Sequence, residues 1–467
     1  MTGDSLNLRT LGHATLALFR DGESPLLATD PWLVGSVYWR SWWLQHYPSG
    51  DEIDWLAGAA NVYITHEHPD HLHLPSIRRL GTGPRYLFPD LPEPDCLAYL
   101  QTRGYSVAAV PPRRWQAVAP GIAMLSIPLW NDDSLLLVDT PDALILNFND
   151  AKPLPPVLRA VRRLADRIGK RRVLLASYSP ASLVNSFVDE RGGIVSLRAP
   201  EHYVNFICRL CDRLGADVYL PFASQAVFER GDSTWANAHR TLYTALVRGW
   251  SAAARLAPPY ATLNLADLSF TAPGPADYRP AAAATVARLT AARLAAEEAA
   301  EITDGDVAAL RRKLNVWRFL LWPLFPRGFG FRLGRRRLYY EARRGRLGDV
   351  GEGPAGDFEI TVPALTIKEA LANDHLTDLG ITMFVRVRLF RRVDLRRIYG
   401  LFVLFQFHDY GHLRSPASLW RWTRAIVRDL LPGRLPALSA GSPAAAAPGD
   451  GADNRALPAA DCPEGSR

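Results

Sequence analysis

Apolar and polar residues alternate over Leu6–Arg20, meet Asp21-Gly22, and resume at Pro25–Thr29. That pattern predicts a β-hairpin opening a sheet. Asn61-Val62-Tyr63-Ile64 is a short apolar run rich in β-formers and predicts a buried strand. Next come a predicted helix over Pro75–Leu80, a strand over Pro84–Phe88, a helix over Cys96–Arg103 ended by Gly104, and a strand over Tyr105–Val110. Ile122–Ile127, Ser134–Asp139 and Ala143–Asn147 predict three more strands, the last two joined by Thr140-Pro141-Asp142. Pro155–Ile168 has the spacing of a basic amphipathic helix, and Tyr203–Leu214 of another. Arg172–Ser177 and Ala216–Leu220 read as buried strands. Strand–helix alternation after an antiparallel start predicts an α/β sandwich, with two sheets inside and helices outside.

The pattern changes near residue 268. Leu268–Arg279 is rich in Pro, Gly and Ala and reads as a linker. Ala281–Ala300 and Asp304–Leu321 predict helices, the second ending before Pro323. Phe358–Pro363, Ile367–Ala372 and Ile381–Leu389 predict strand, helix and strand of a smaller α+β region, and Leu419–Leu431 a final helix. From Pro432 on, Ala, Pro and Gly dominate, with too little apolar bulk to fold. The expected organisation is therefore a first domain over 1–267, a helical and α+β region over 268–431, and a disordered tail over 432–467.

Composition narrows the function classes. At 467 residues, 48% hydrophobic and 22% charged, the chain is ordinary globular protein. The net charge of +7 leaves room for an anionic substrate but does not point to nucleic acid. Arg311, Arg312, Lys313 and Arg318 lie beside Trp317, Phe319, Leu320 and Trp322, followed by Arg335-Arg336-Arg337. That segment either rests on a membrane surface or packs on the first domain with a solvated basic face. The cysteines are Cys96, Cys208, Cys211 and Cys462, which is no disulfide framework. Cys208 and Cys211 read as two buried helix residues. No signal peptide is visible at Met1-Thr2-Gly3-Asp4-Ser5, and no apolar run reaches about 18 residues. A cytoplasmic location is expected.

The chemistry concentrates in Thr65-His66-Glu67-His68-Pro69-Asp70-His71, directly behind the Asn61 strand. An H-x-H-x-D-H pattern at a strand end projects several side chains toward one point. Imidazoles with carboxylates suit zinc, iron or manganese better than calcium, which prefers oxygen alone. His73 lies outside the pattern and reads as a helix-start or surface residue. His13, in Leu11-Gly12-His13-Ala14-Thr15, is either a hydrogen-bonded sheet histidine or a neighbour of the metal site. Asp30 and Asp54 are candidates to orient the imidazole rings. Tyr38, Trp39, Trp42, Trp43, His46 and Tyr47 form either a wall over a pocket or a small satellite core.

His66-x-His68-x-Asp70-His71 resembles the hallmark of the metallo-β-lactamase superfamily. Asp30-Pro31-Trp32-Leu33-x-Gly35, Trp42-Trp43-Leu44-x-His46-x-Pro48, Asn147-x-x-Asp150 and Pro221-Phe222-Ala223 resemble the catalytic module of the CMP-N-acetylneuraminate hydroxylases, and Val362–Leu389 is similar to their C-terminal region. The resemblance implies an αββα sandwich with a metal centre at one edge of the sheets. It implies that His66 and His68 hold one metal, Asp70 and His71 a second, and Asp150 bridges both. The superfamily's histidine between motif and bridging Asp is absent, and Leu129-Trp130-Asn131-Asp132-Asp133 stands there; Asp132 or Asp133 could substitute. The last histidine, expected after Ala223, is also absent, with Arg230 near its place and His239 nine residues on. The centre holds one divalent ion or two, Zn or Fe. The hydroxylases also carry a Rieske iron–sulfur domain, whose paired Cys and His this chain lacks.

Three functions follow. The first is a metal-dependent hydrolase using metal-activated water on a small, anionic or phosphoester substrate, with Asp70 as the catalytic carboxylate that holds the nucleophile or acts as general base. The second is a non-haem iron monooxygenase drawing electrons from a separate redox partner. The third is a metal-free binding protein on a degenerate scaffold.

Overall fold

The computed structural model describes residues 5–91, 95–180, 186–195, 198–274 and 278–436. Most of the predicted tail (437–467) and part of the predicted linker (275–277) lie outside them. One sheet runs in the order Phe270–Thr271, Thr262–Asn264, Leu6–Leu11, Thr15–Arg20, Leu27–Thr29, Asn61–Tyr63, Arg85–Pro89, Val107–Val110. A second runs Arg255–Leu256, Val218–Phe222, Arg171–Ser177, Ala143–Asn149, Ser134–Asp139, Ile122–Pro128, Trp115–Ala119.

Side-chain alternation assigns the layers. In Ala143–Asn149, Leu144, Leu146 and Phe148 pack on Val157, Val161 and Leu164 of the helix Pro155–Ile168. Ala143 and Ile145 point the other way, toward Leu8, Leu16 and Leu18 of the first sheet. Ala17, Val62 and Tyr86 on that sheet's far face cover Ile53, Leu56, Ile77 and Leu80, from the helices Gly50–Ala57 and Leu74–Leu80. The result is the expected αββα stack. Each fully buried Leu or Ile contributes about 1.5–3 kcal/mol, so the sandwich can tolerate charged residues at its strand ends.

A third sheet runs Phe187–Val188, Arg386–Leu389, Phe358–Val362, Phe329–Leu333, Arg336–Glu341, Arg346–Asp349. Its first strand comes from the sandwich half of the chain and pairs with Arg386–Leu389. The strands from Phe329 to Asp349 escape a sequence reading because arginines occupy their outward positions. Phe329, Phe331, Leu333, Leu338 and Tyr340 face the core, whereas Arg332 and Arg337 reach Glu359 and Arg336 reaches Asp349. Among the described residues no helix is long and apolar enough to cross a membrane.

Three predicted elements are corrected. Leu6–Arg20 is two antiparallel strands folded at Gly12-His13-Ala14. Gly12 has φ +55°, and a Cβ there would stand 2.7 Å from the Trp32 carbonyl oxygen, so glycine alone allows the fold-back. Asp304–Leu321 is two helices, Asp304–Val316 and Arg318–Leu324, because the chain bends at Trp317, whose ring packs on Phe407; Pro323 lies inside the second helix. Within Ile381–Leu389 the strand is confined to Arg386–Leu389, and Thr377–Ile381 forms a 3₁₀ turn instead. The aromatic segment satisfies both of its readings. Trp32, Tyr38 and Trp42 cluster with Phe228 and Met383, and Tyr38 and Trp42 also line a cavity.

Candidate metal centre

The centre sits where strands stop. Leu27–Thr29 and Asn61–Tyr63 are parallel neighbours in one sheet, as are Ala143–Asn149, Arg171–Ser177 and Val218–Phe222 in the other. Their carboxyl ends meet at one edge. Asp30, Asn149 and Ala223 cap three of these ends with φ of +41°, +40° and +44°. Such backbone costs on the order of 1–3 kcal/mol per residue and gathers at functional sites. The sheets are pinned together behind the centre: the Tyr63 hydroxyl meets Ser126 and Ser134, and Ser134 Oγ donates to the Thr65 carbonyl at 2.7 Å.

The strand ends at Tyr63, so His66 to His71 belong to the following loop. Their rings nevertheless converge. His66 Nε2 lies 2.8 Å from His68 Nδ1 and 3.9 Å from Asp150 Oδ1. His71 Nε2 lies 3.5 Å from Asp150 Oδ1 and 3.6 Å from Asp70 Oδ2. Asp70 Oδ1 is occupied by the Tyr38 hydroxyl, which donates at 2.5 Å. His13 Nε2 lies 3.4 Å from Asp70 Oδ2. The structure thus brings all five predicted site residues together and settles His13 as their neighbour.

Each of the three motif histidines is backed by a carboxylate on its other nitrogen. His71 Nδ1 meets Asp30 Oδ2 at 3.1 Å, and Asp30 itself accepts from the Thr65 backbone N–H and hydroxyl. His66 Nδ1 lies 3.4 Å from Asp133 Oδ1. His68 Nε2 lies 3.8 Å from Asp378 Oδ1 in the 3₁₀ turn. The Asp30 bond fixes the His71 tautomer and aims its Nε2 at a cation, whereas the two longer contacts place a carboxylate behind the other rings. Asp378 carried no sequence signal, since it lies far along the chain in no motif.

Several sequence candidates are placed elsewhere. Asp54 pairs with Arg79 at 2.8 Å on the surface. Asp133 stands behind His66 rather than in the missing histidine's place, and Asp132 turns to His412 Nε2 at 2.7 Å. Arg230 is fully buried between Asp232 and Glu297, over the Phe384 ring, and His239 packs on Trp235. His73 starts the helix Leu74–Leu80 but is buried, bonded to Ser76. Cys208 and Cys211 are buried in the helix Pro200–Leu214.

The electrostatics describe a pocket rich in negative charge. Burial works against a charged His71, but Asp70, Asp150 and Asp30 outweigh it and push the ring up to about 10. Burial, then the His71 charge, holds His66 well below the ordinary imidazole value. Asp70 and Asp150 stay below the usual carboxylate range, because nearby imidazoles outweigh burial. Burial, and next the charge of Asp150, pushes Asp133 well above that range. Carboxylates that raise an imidazole this far attract any cation.

The donor set fits a divalent metal. A tetrahedral ion with ligands near 2.0–2.1 Å separates its donor atoms by about 3.3 Å; the distances above run from 2.8 to 3.9 Å. His66, His71 and Asp150 form one group of mutually close donor atoms, and His13, Asp70 and His71 another. His71 Nε2 and Asp150 Oδ1 are buried with no hydrogen-bond partner among the described residues. An orphaned polar atom costs about 1–3 kcal/mol, a cost that coordination would remove. The centre opens into a cavity of about 790 Å³ whose wall carries Lys152, Arg198, Arg209, Arg213 and Arg240.

No family model matches the chain. Sequence relatives are cytidine monophosphate-N-acetylneuraminic acid hydroxylases. That of Asterias rubens is 46% identical over 56 residues, 12% of this chain and 9% of that protein. That of Xenopus laevis is 32% identical over 127 residues, 25% of this chain and 20% of that protein. An inactive Homo sapiens relative is 44% identical over 63 residues, 14% and 12%. The matches therefore span a fifth or less of these relatives' length. Among solved structures, a variant of CmlA β-hydroxylase aligns over 56% of this chain and 54% of its own, with TM-score 0.37 and 16% identity. The metallo-β-lactamase fold protein YhfI from Bacillus subtilis aligns over 56% and 99%, with TM-score 0.35 and 12% identity. The local sequence identity relates segments of the chain to the cytidine monophosphate-N-acetylneuraminic acid hydroxylases, and its two stacked sheets form the αββα sandwich expected from the sequence.

Proposed function

We propose that this protein is a metal-dependent hydrolase of a small anionic substrate. The observation that carries the reading is the convergence of His66, His71, Asp70 and Asp150, with His71 Nε2 and Asp150 Oδ1 buried and unpartnered among the described residues, beside a cavity lined by cationic side chains. A divalent ion bound there supplies Lewis acidity and lowers the pKa of water from 15.7 to about 7. His66, His68 and Asp150 would hold one ion, with Asp70 and His71 toward a second, as the resemblance implies. Asp70 Oδ2, facing the centre while Tyr38 occupies Oδ1, would orient the attacking water. Lys152, Arg198 and Arg240 would draw in and neutralise the substrate's anionic group.

A second reading, a non-haem iron monooxygenase served by a separate electron donor, is favoured by two observations. The donor set holds imidazole and carboxylate without thiolate, which suits iron as well as zinc. The local sequence relatives are hydroxylases.

Chelator-treated protein reloaded with Zn²⁺ or Fe²⁺ separates them, using CMP-N-acetylneuraminic acid and bis(p-nitrophenyl) phosphate as probes. Metal-dependent cleavage without O₂ is the expected result. O₂ uptake matched to a hydroxylated product, with iron and a reductant alone, establishes the second reading. A protein that takes up no stoichiometric metal, and whose ligand binding ignores Asp70→Ala, is a metal-free binder and ends both.

A further inference from the structure

We infer that His13, from the first hairpin, is a metal ligand replacing the histidine that the chain lacks after Ala223. The inference rests on the metal-centre reading above and assigns a donor that the H-x-H-x-D-H motif does not contain.

Four observations support it. First, His13 Nε2 lies 3.4 Å from Asp70 Oδ2, and the donor atoms of His13, Asp70 and His71 all lie within 4.8 Å of one another. Second, the backbone ties His13 to the loop where the missing residue would stand: the Ala223 N–H donates to the His13 carbonyl at 2.9 Å. Two segments far apart in sequence thus meet at the centre, where His13 and Ala223 line the same cavity. Third, the ring is held. It is 3% exposed, packs against Trp32 and Trp42 with centroids 5.6 and 6.0 Å away, and stands edge-on to His71. Fourth, the Gly12 turn brings the residue in, and no side chain fits at Gly12 without meeting the Trp32 carbonyl.

The rival role is positioning: His13 merely hydrogen-bonds Asp70. The two roles differ in size. Losing a partner that only orients a ligand weakens metal affinity about 10–100-fold, whereas losing a ligand of a four-donor site should exceed that. Full-length protein, His13→Gln and His13→Asp would each be titrated with Co²⁺, reading metal per chain by elemental analysis and the visible ligand-field bands. Gln keeps a hydrogen-bond donor for Asp70 but is a poor ligand; Asp restores a ligand. Circular dichroism checks that each variant is folded.

The expected result is two ions per chain in the parent, one in His13→Gln with more than ~100-fold weaker second binding, and recovery of the second ion with altered bands in His13→Asp. Two ions in the parent and two in His13→Gln, with unchanged bands or a loss within the 10–100-fold range, overturns the assignment and leaves the metal centre standing. One ion in both overturns it as well. No ion in the parent sinks the metal-centre reading itself.

Discussion

The two sides of the centre are built differently. On the His71 side every group is buried: Asp30 lies 3.1 Å behind the ring, Tyr38 donates to Asp70 at 2.5 Å, and His13 stands 3.4 Å from Asp70. On the His66 and His68 side, the carboxylates behind the rings stand farther off, Asp133 at 3.4 Å and Asp378 at 3.8 Å. His68 keeps 29% of its side chain exposed, and this side faces the cavity. The contrast separates two tasks. On the proposed reading, the closed side would hold the less exchangeable ion and the open side would keep a position for water or substrate, as catalytic metal sites do.

The largest expected effect comes from the residue both sides share. Asp150 Oδ1 lies within 3.9 Å of His66 Nε2 and 3.5 Å of His71 Nε2. Asp150→Ala should strip metal from both, with turnover falling below detection. Elemental analysis after dialysis measures it, and full metal content in this variant would break the comparison at its root.

Next come the one-sided losses. His71→Ala should remove the tightly held ion, and His66→Ala the more exchangeable one, each lowering content by roughly one equivalent, since each takes a first-hand ligand away. Exchange of the remaining ion with added chelator tells which side survived. If the ion left in His66→Ala exchanges faster than the one left in His71→Ala, the assignment of closed and open sides is reversed.

How much of this could be seen in the sequence follows from chain distance. His66, His68, Asp70 and His71 share one loop behind one strand, so their spacing alone announces them. Asp150 is legible through the strand ahead of it and the resemblance. Asp30 follows a strand, and its backing role was accessible for the same reason. Asp132 and Asp133 are indistinguishable on paper; only the turn after Ile122–Pro128 decides that one faces His66 and the other His412. His13 hides inside an alternation that looks unbroken, because the fold-back depends on one glycine and a carbonyl contributed by Trp32. The six-stranded sheet was hidden by its own arginines, whose carboxylate partners come from other strands.

Removing the backing carboxylates should sharpen the comparison at a smaller scale. Asp30→Asn and Asp133→Asn keep the size of the side chain and replace one carboxyl oxygen behind the ring by an amide NH₂. Each should weaken metal binding about 10–100-fold, Asp30→Asn on the closed side and Asp133→Asn on the open side. Competition with a fluorescent chelator resolves the two affinities. An Asp133→Asn protein that loses the slowly exchanging ion would show that the sides are coupled through Asp150 rather than independent.

The smallest effect belongs to Asp378. It reaches His68 from the 3₁₀ turn Thr377–Ile381, at 3.8 Å, beyond a good hydrogen bond, and His68 is the most exposed of the motif histidines. Solvent can replace part of what this carboxylate does, as it cannot for the sealed Asp30. Asp378→Asn should therefore weaken the exchangeable ion by about 10-fold at most, the low end of the range for such partners. It should leave the tightly held ion untouched, as read by the same chelator competition. A loss as large as that of Asp30→Asn would mean that the 3₁₀ turn closes on His68 once a cation is bound, and that the open side is open only while it waits for one.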